Sequence, residues 1–203
     1  MWHNIWFYVW YGLAALCAFV FAVRSYGKKS RLGVFGGNMF LAAGMLNIAY
    51  LVRIIVKTYF MASLCTSIYF VCMDLVVLTA LQFVIELTDL KLLAGKGRKY
   101  VYLFLGVITL ADAALLICNI FHEFMLRYQY NLYSIYAIKF MYVSKPMFRI
   151  HLGFTFFMAA VIVYVLVLKV LEVPKIYSGR YRYMLCGLLL VLLFIGGYVS
   201  GRL

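Results

Sequence analysis

Six long apolar runs decide what this chain can fold into. They cover residues 5–23, 34–56, 59–87, 100–121, 151–173 and 183–199. A bilayer core of about 30 Å is crossed by roughly 20 apolar residues in a helix, and these runs have that scale. None alternates polar and apolar residues with a period of two for any distance, so the strands of a membrane barrel are excluded. Composition removes the remaining alternative, a large soluble core. Hydrophobic residues make up 67% of the chain and charged ones 12%, where soluble domains run near one half and one quarter. The expected fold class is an all-α polytopic membrane protein with six transmembrane helices, one transmembrane domain over residues 1–203. The first run is too long for a signal peptide's apolar region, follows no basic residue and shows no small-residue cleavage pattern before Arg24, so it reads as a permanent helix.

Charge supplies direction. Nineteen basic residues against six acidic ones give +13, a balance that in a soluble protein would suggest nucleic acid. Here the basic residues fall between apolar runs, where they report topology instead. Arg24, Lys28, Lys29, Arg31, Lys91, Lys96, Arg98, Lys99, Lys169, Lys175, Arg180 and Arg182 follow the odd-numbered helices, twelve in all. Arg53, Lys57, Arg127, Lys139, Lys145, Arg149 and Arg202 make seven on the other side. The positive-inside bias therefore puts the odd-numbered loops in the cytoplasm and the N-terminus outside. Trp2, Trp6 and Trp10 repeat on one helix face and suit lipid-interface anchors at the outer boundary. Six spans that start outside also finish outside. The expectation is that Leu203 lies outside, or that a seventh helix and an output domain follow.

The loop from 122 to 150 faces outside and is aromatic, with Tyr128, Tyr130, Tyr133, Tyr136, Phe140, Tyr142 and Phe148. Residues 128–132 and 138–143 have β-prone, partly alternating character with a turn between them at Asn131 to Ala137, a hairpin lid. The alternative is an interfacial apron of tyrosines among lipid headgroups.

Ionisable and amide side chains within the spans carry a cost that calls for a reason. Asp74 and Asp112 fall near the middles of helices 3 and 4 and should point into the bundle. Asn119 follows Asp112 by seven residues, on the same helix face and nearer the outside. Asn47 and Arg53 lie in the outer part of helix 2, and His122, Glu123, Arg149 and His151 at the outer ends of helices 4 and 5. One reading is a pocket for a small extracellular polar ligand, lined by Asp112, Asn119, His122 and His151 with Asn47 and Arg53 opposite. The other is interhelical hydrogen bonding that sets helix packing, the stronger reading for Asn47 and Asn119. Asp74, Gln82 and Glu86 are assigned structural or coupling roles. His122, Glu123 and His151 are metal-binding residue types, but they are remote in sequence without a defined ligand count, so no metal or other cofactor is expected. Gly33, Gly36 and Gly37 should let helix 2 approach a neighbour closely. The five cysteines are odd in number and lie in or beside helices, small apolar packing residues. Phosphate loop, zinc-protease, CxxC and nucleophile-elbow motifs are all missing, so no catalysis is assigned to the chain.

The run Asp112-Ala-Ala-Leu-Leu-Ile-Cys-Asn119-Ile-Phe-His122-Glu-Phe resembles the fourth helix of the seven-helix N-terminal sensor region of bacterial histidine kinases and GGDEF diguanylate cyclases. In that family an Asn and then a His mark the helix leaving the membrane, ahead of an extracellular hairpin. His151 opening helix 5 is similar, as is Val173-Pro174-Lys-Ile-Tyr177-Ser-Gly-Arg180-Tyr181 in the next cytoplasmic loop. The resemblance covers most of the chain, better from Asp112 onward. It implies a sensor in the bacterial inner membrane, a homodimer, and a cytoplasmic kinase or cyclase output in cis. Two features depart from the pattern: the sequence stops after helix 6, and Asn47 with Tyr50 stands where many members carry a Trp, which suggests a more polar ligand. The rival expectation is a small cation- or proton-coupled transporter or channel using Asp74 and Asp112; an assembly subunit is a third. The partners expected are a small extracellular ligand and membrane lipids, with no nucleic acid.

Overall fold

The computed structural model describes residues 2–89, 96–130, 140–175 and 177–199, with the side chains of 2–4, 7, 96, 130, 140–141, 191 and 194–199 outside the description. The chain forms helices α1 (Trp2–Gly27), α2 (Arg31–Ile55), α3 (Tyr59–Thr88) and α4 (Lys96–His122), strands β1 (Leu126–Tyr130) and β2 (Phe140–Ser144), then α5 (Pro146–Glu172) and α6 (Gly179–Val199). Five helices, α1 to α5, are long and apolar enough to cross a membrane. The expected sixth span falls on α6, whose apolar stretch lies partly among the side chains outside the description. Of the tryptophan series, Trp6 and Trp10 are exposed.

Local chemistry explains where the helices begin and end. Ser30 caps α2 by accepting the Gly33 N–H at 3.0 Å, as a hydroxyl at that position should. Pro146 opens α5, where its missing N–H costs nothing and its φ is already helical. The outer loop is therefore shorter than its apolar boundary implied, and Phe148, Arg149 and Ile150 belong to α5. Asp89 and Glu123 directly follow helices and take left-handed φ values of 43° and 49°, a common helix stop. The Glu123 N–H returns to the Asn119 carbonyl at 3.0 Å, which turns the chain out of α4 and into β1.

The strands pair antiparallel, from Leu126 opposite Ser144 to Tyr130 opposite Phe140. The hairpin is present between helices 4 and 5, with its first strand two residues earlier than the alternation suggested; the turn at Asn131 to Ala137 lies outside the described residues.

Helix α3 is the hub. It packs on α2, α4 and α5 and touches β1, while α1 packs chiefly on α2 and α6 on α5. The α1–α2 contact is close because of glycine: a Cβ at Gly33 would lie 2.5 Å from the Ser25 carbonyl oxygen, and one at Gly37 2.6 Å from the Tyr26 ring.

Three seams with spacings of three, four or seven residues meet at the centre. On α4 the buried positions are Leu105, Thr109, Asp112, Leu116 and Asn119. On α3, Phe70, Asp74, Leu78, Leu81 and Ile85 are buried, and on α5 Phe148, His151, Met158, Ile162 and Val165. Such spacing keeps one face turned toward the neighbouring helices. The apolar members separate into two clusters. One, at the hairpin end, joins Phe70, Leu116, Met125, Leu126, Tyr128 and Phe148. The other joins Leu78, Leu81, Leu105, Met158 and Leu166 with residues around them, including Tyr181 of α6. Asp74, Asp112 and His151 fall in the seams between the two clusters.

Candidate functional site

Each polar residue of this layer stands at a seam position, so its side chain is delivered inward by the helix that carries it. His151 Nδ1 lies 2.6 Å from Asp112 Oδ2. The same nitrogen is 3.6 Å from Asp74 Oδ2, so one imidazole edge addresses carboxylates from two other helices. The ring packs against Phe70 and Phe148, with centroids at 5.4 and 5.2 Å. Thr155, one turn after His151, donates its hydroxyl to Asp74 Oδ1 at 3.1 Å and also reaches the His151 carbonyl at 3.0 Å. Thr155 thereby holds one oxygen of Asp74; the other, Oδ2, is buried with no hydrogen-bond donor in reach among the described residues, and the Asp112 carboxyl lies beside Asp74. His151 Nε2 is likewise buried without a hydrogen-bond partner among the described residues.

The electrostatics follow from burial. The His151 and Asp74 side chains are 0% and 1% exposed, and Asp112 keeps 10%. Isolated charge is costly to bury in a low dielectric unless it is paired. Two carboxylates beside one imidazole reach neutrality in three ways: an imidazolium with one carboxyl proton, a neutral imidazole with both carboxyls protonated, or a neutral imidazole with a divalent cation.

Above this layer, toward the hairpin, Asn119 does different work. It is fully buried, accepts the N–H groups of Met125 and Leu126 at 2.6 and 3.0 Å, and donates to the Leu126 carbonyl at 3.1 Å. Its amide thus acts as an extra strand edge for β1, satisfying backbone groups that burial would otherwise leave unpaired. The hairpin is seated further by the Tyr142 ring against Phe70 and Phe148, at 5.7 and 6.2 Å, and by Tyr128 against Tyr59 at 5.9 Å. Burial pushes the Tyr128 phenol above its usual pKa, with Ser63, Thr66 and Ser67 of α3 around it.

The residues singled out in the sequence separate into three groups. Asp112 and His151 meet directly, and Asp74 joins them. Asn119 faces the hairpin. Arg53 stacks its guanidinium over Tyr142 at 5.1 Å and Tyr50 at 5.9 Å, so it also reaches the hairpin. The Asn47 amide donates back to the Ala43 carbonyl of its own helix at 2.8 Å. His122 is exposed and stacks on Phe124 at 6.5 Å, Arg149 is exposed, and Glu123 lies 4.0 Å from Arg127. These six do not converge with Asp112 and His151 on one pocket.

At the other end of α3, Glu86 receives Arg98 at 2.9 Å and Arg31 at 3.5 Å, and Arg98 also reaches Asp89 at 3.1 Å. This network joins the starts of α2 and α4 to the end of α3. Gln82 contributes its backbone carbonyl, which accepts the Tyr102 hydroxyl at 3.4 Å. Sequence reasoning overlooked Thr155 and Phe70. Their signal was available: each stands four residues from His151 or Asp74, on the same helix face.

Comparison with models of protein families, with curated proteins and with solved structures finds no match to this chain.

Proposed function

We propose that the chain is a membrane sensor domain that binds a small extracellular ligand and relays a helix rearrangement to a cytoplasmic signalling output. In this reading the N-terminus and the hairpin lie outside a bacterial inner membrane, α6 is the sixth span, and the loops after α1, α3 and α5 are cytoplasmic. The positive-inside asymmetry and the resemblance of the Asp112–Phe124 run support it.

The observation that carries the reading is the His151–Asp112 contact, which ties α5 to α4 directly below a hairpin stapled to α4 by Asn119. A ligand acts only by favouring one of two arrangements of the bundle. Any movement of the hairpin pulls on Asn119, and α4 carries that movement past Asp112 to Arg98 and its partners on α3. The ligand centre is accordingly smaller than the sequence suggested, contracting to Asp112, His151 and Asp74, with Asn119 and Arg53 holding the hairpin over it.

The test is hydrogen–deuterium exchange of the purified chain in nanodiscs against a panel of amino acids, short carboxylates and divalent cations. A ligand should protect residues 119–130 and 140–151 and change exchange at 96–102 together, and Asn119→Ala should uncouple the two regions. Ligand protection confined to the hairpin end would overturn the relay.

The buried pair Asp74 and Asp112 favours one second reading, a cation- or proton-coupled transporter. Flux into liposomes, abolished by Asp112→Asn, would establish it in place of the sensor.

A further inference from the structure

We propose that Asp74, Asp112 and His151 form a binding site for a divalent first-row transition-metal ion of the Zn2+ class. The inference rests on the reading of this centre as a ligand site and names the class of ligand it takes. One ligand atom from each residue lies within 4.8 Å of the other two. The set is one imidazole nitrogen and two carboxylate oxygens, brought together from three helices.

Three observations point to a cation in this position. First, Asp74 Oδ2 is buried with no hydrogen-bond donor in reach among the described residues, beside the Asp112 carboxyl and 3.6 Å from the same His151 Nδ1 that faces Asp112. A carboxylate oxygen is an acceptor, and an ion bonded to it would satisfy it. Second, Thr155 binds the opposite oxygen, Oδ1, at 3.1 Å. That is the hydrogen bonding that orients a ligating carboxylate and leaves its second oxygen for the metal. Third, two carboxylates and a neutral imidazole around a dication sum to zero charge, which a low-dielectric interior tolerates.

Donor chemistry selects the ion. An imidazole nitrogen suits Zn2+ and its neighbours, whereas Mg2+ and Ca2+ are held by oxygen alone. Zn–N and Zn–O bonds of about 2.1 Å in a tetrahedral shell set donors roughly 3.4 Å apart. The His151–Asp74 separation of 3.6 Å is within about 0.2 Å of that value. The His151–Asp112 pair at 2.6 Å opens by about 0.8 Å to admit the ion, a side-chain rotation of Asp112. Three protein donors leave a fourth tetrahedral position for water or another small ligand.

The test uses the purified full chain in nanodiscs, loaded with Zn2+, washed and analysed for metal. About one Zn2+ per chain should remain, excess Mg2+ should not displace it, and Asp112→Asn and His151→Gln should each retain less than about one-tenth of it. Thr155→Val should weaken binding about ten-fold while leaving the ligands in place. Co2+ loaded into the wild-type chain should give the strong visible bands of a four- or five-coordinate site, a readout that needs no variant to fold. Absence of saturable Zn2+, retention unaffected by both ligand substitutions, or a six-coordinate Co2+ spectrum would each overturn the proposal. Zn2+ bound with no exchange response at residues 96–102 keeps the metal site and removes the sensor reading. A response to another ligand with no Zn2+ bound does the reverse.

Discussion

His151 Nδ1 and Asp112 Oδ2 meet at 2.6 Å across thirty-nine residues of sequence, with the hairpin between them in the chain. The contact closes α4–hairpin–α5 into a ring, fastened at the helices by this pair and at the hairpin by Asn119. Helix α3 fills the inner face of that ring with Phe70, Asp74 and Leu78 in consecutive turns. Strain applied to the hairpin therefore has a short route into the bundle through α4, beside its ring contacts to α2, α3 and α5.

Removing one partner of the pair should cost more than removing both. His151→Leu leaves two buried carboxylates facing each other and is expected to destabilise by about 3–5 kcal/mol. The double variant His151→Leu, Asp112→Leu is expected to recover part of that loss. Thermal unfolding in detergent measures both, and a double variant as damaged as the sum of the single ones would show that the two residues act independently.

Asn119→Ala should release the hairpin. It strips partners from two buried N–H groups and one carbonyl, each costing about 1–3 kcal/mol when left unpaired. Limited proteolysis should cut between residues 123 and 145 much faster than in the wild type. Asn119→Asp, which keeps the accepting oxygen, should lie between the two.

Glycines at the α1–α2 contact should differ sharply from those elsewhere. Gly33→Ala forces a Cβ to 2.5 Å from a backbone carbonyl, and overpacking of that kind costs about 1–3 kcal/mol. Gly12→Ala and Gly153→Ala meet nothing within 4 Å and should be neutral or stabilising by up to about 1 kcal/mol, because alanine favours the helix. Unfolding midpoints of the three variants decide the matter.

Glu86→Gln should loosen the start of α4. Arg98 and Glu86 are largely shielded, each with 13% of its side chain exposed, so neutralising Glu86 leaves the Arg98 guanidinium with only the exposed Asp89 of these two carboxylates. Amide exchange over residues 97–102 should accelerate while the hairpin residues stay protected. Equal acceleration at both ends would mean that the whole bundle had loosened.

The spans and the hairpin were legible because their signals are local. Apolar runs of membrane length and an aromatic segment with β character need no knowledge of the rest of the chain. The position of Asn119 on the Asp112 face was legible for the same reason, since seven residues is two helical turns. The helix starts at Pro146 and Lys96 were less so: an apolar run marks the length that matches hydrocarbon, while the helix itself continues through Arg98 and Arg149 into polar surroundings. Depth along the membrane was also readable, and it grouped Asn47, Arg53 and His122 with Asp112 and His151. Depth, however, says nothing about the direction a residue faces. Asn47 turns back on its own helix, His122 points outward, and Arg53 rises to Tyr142.

The sequence alone determined that this chain is a helical membrane protein, because burying its apolar runs in water-free surroundings requires each backbone to bond within itself. It pointed as well to Asp74 and Asp112 being turned from lipid. Only the tertiary structure decided that His151 is buried with them and that Asp74, Asp112 and His151 share one point. Their meeting depends on how α3, α4 and α5 rotate about their own axes, and that rotation is set jointly by the three seams and by the hairpin that Asn119 holds in place.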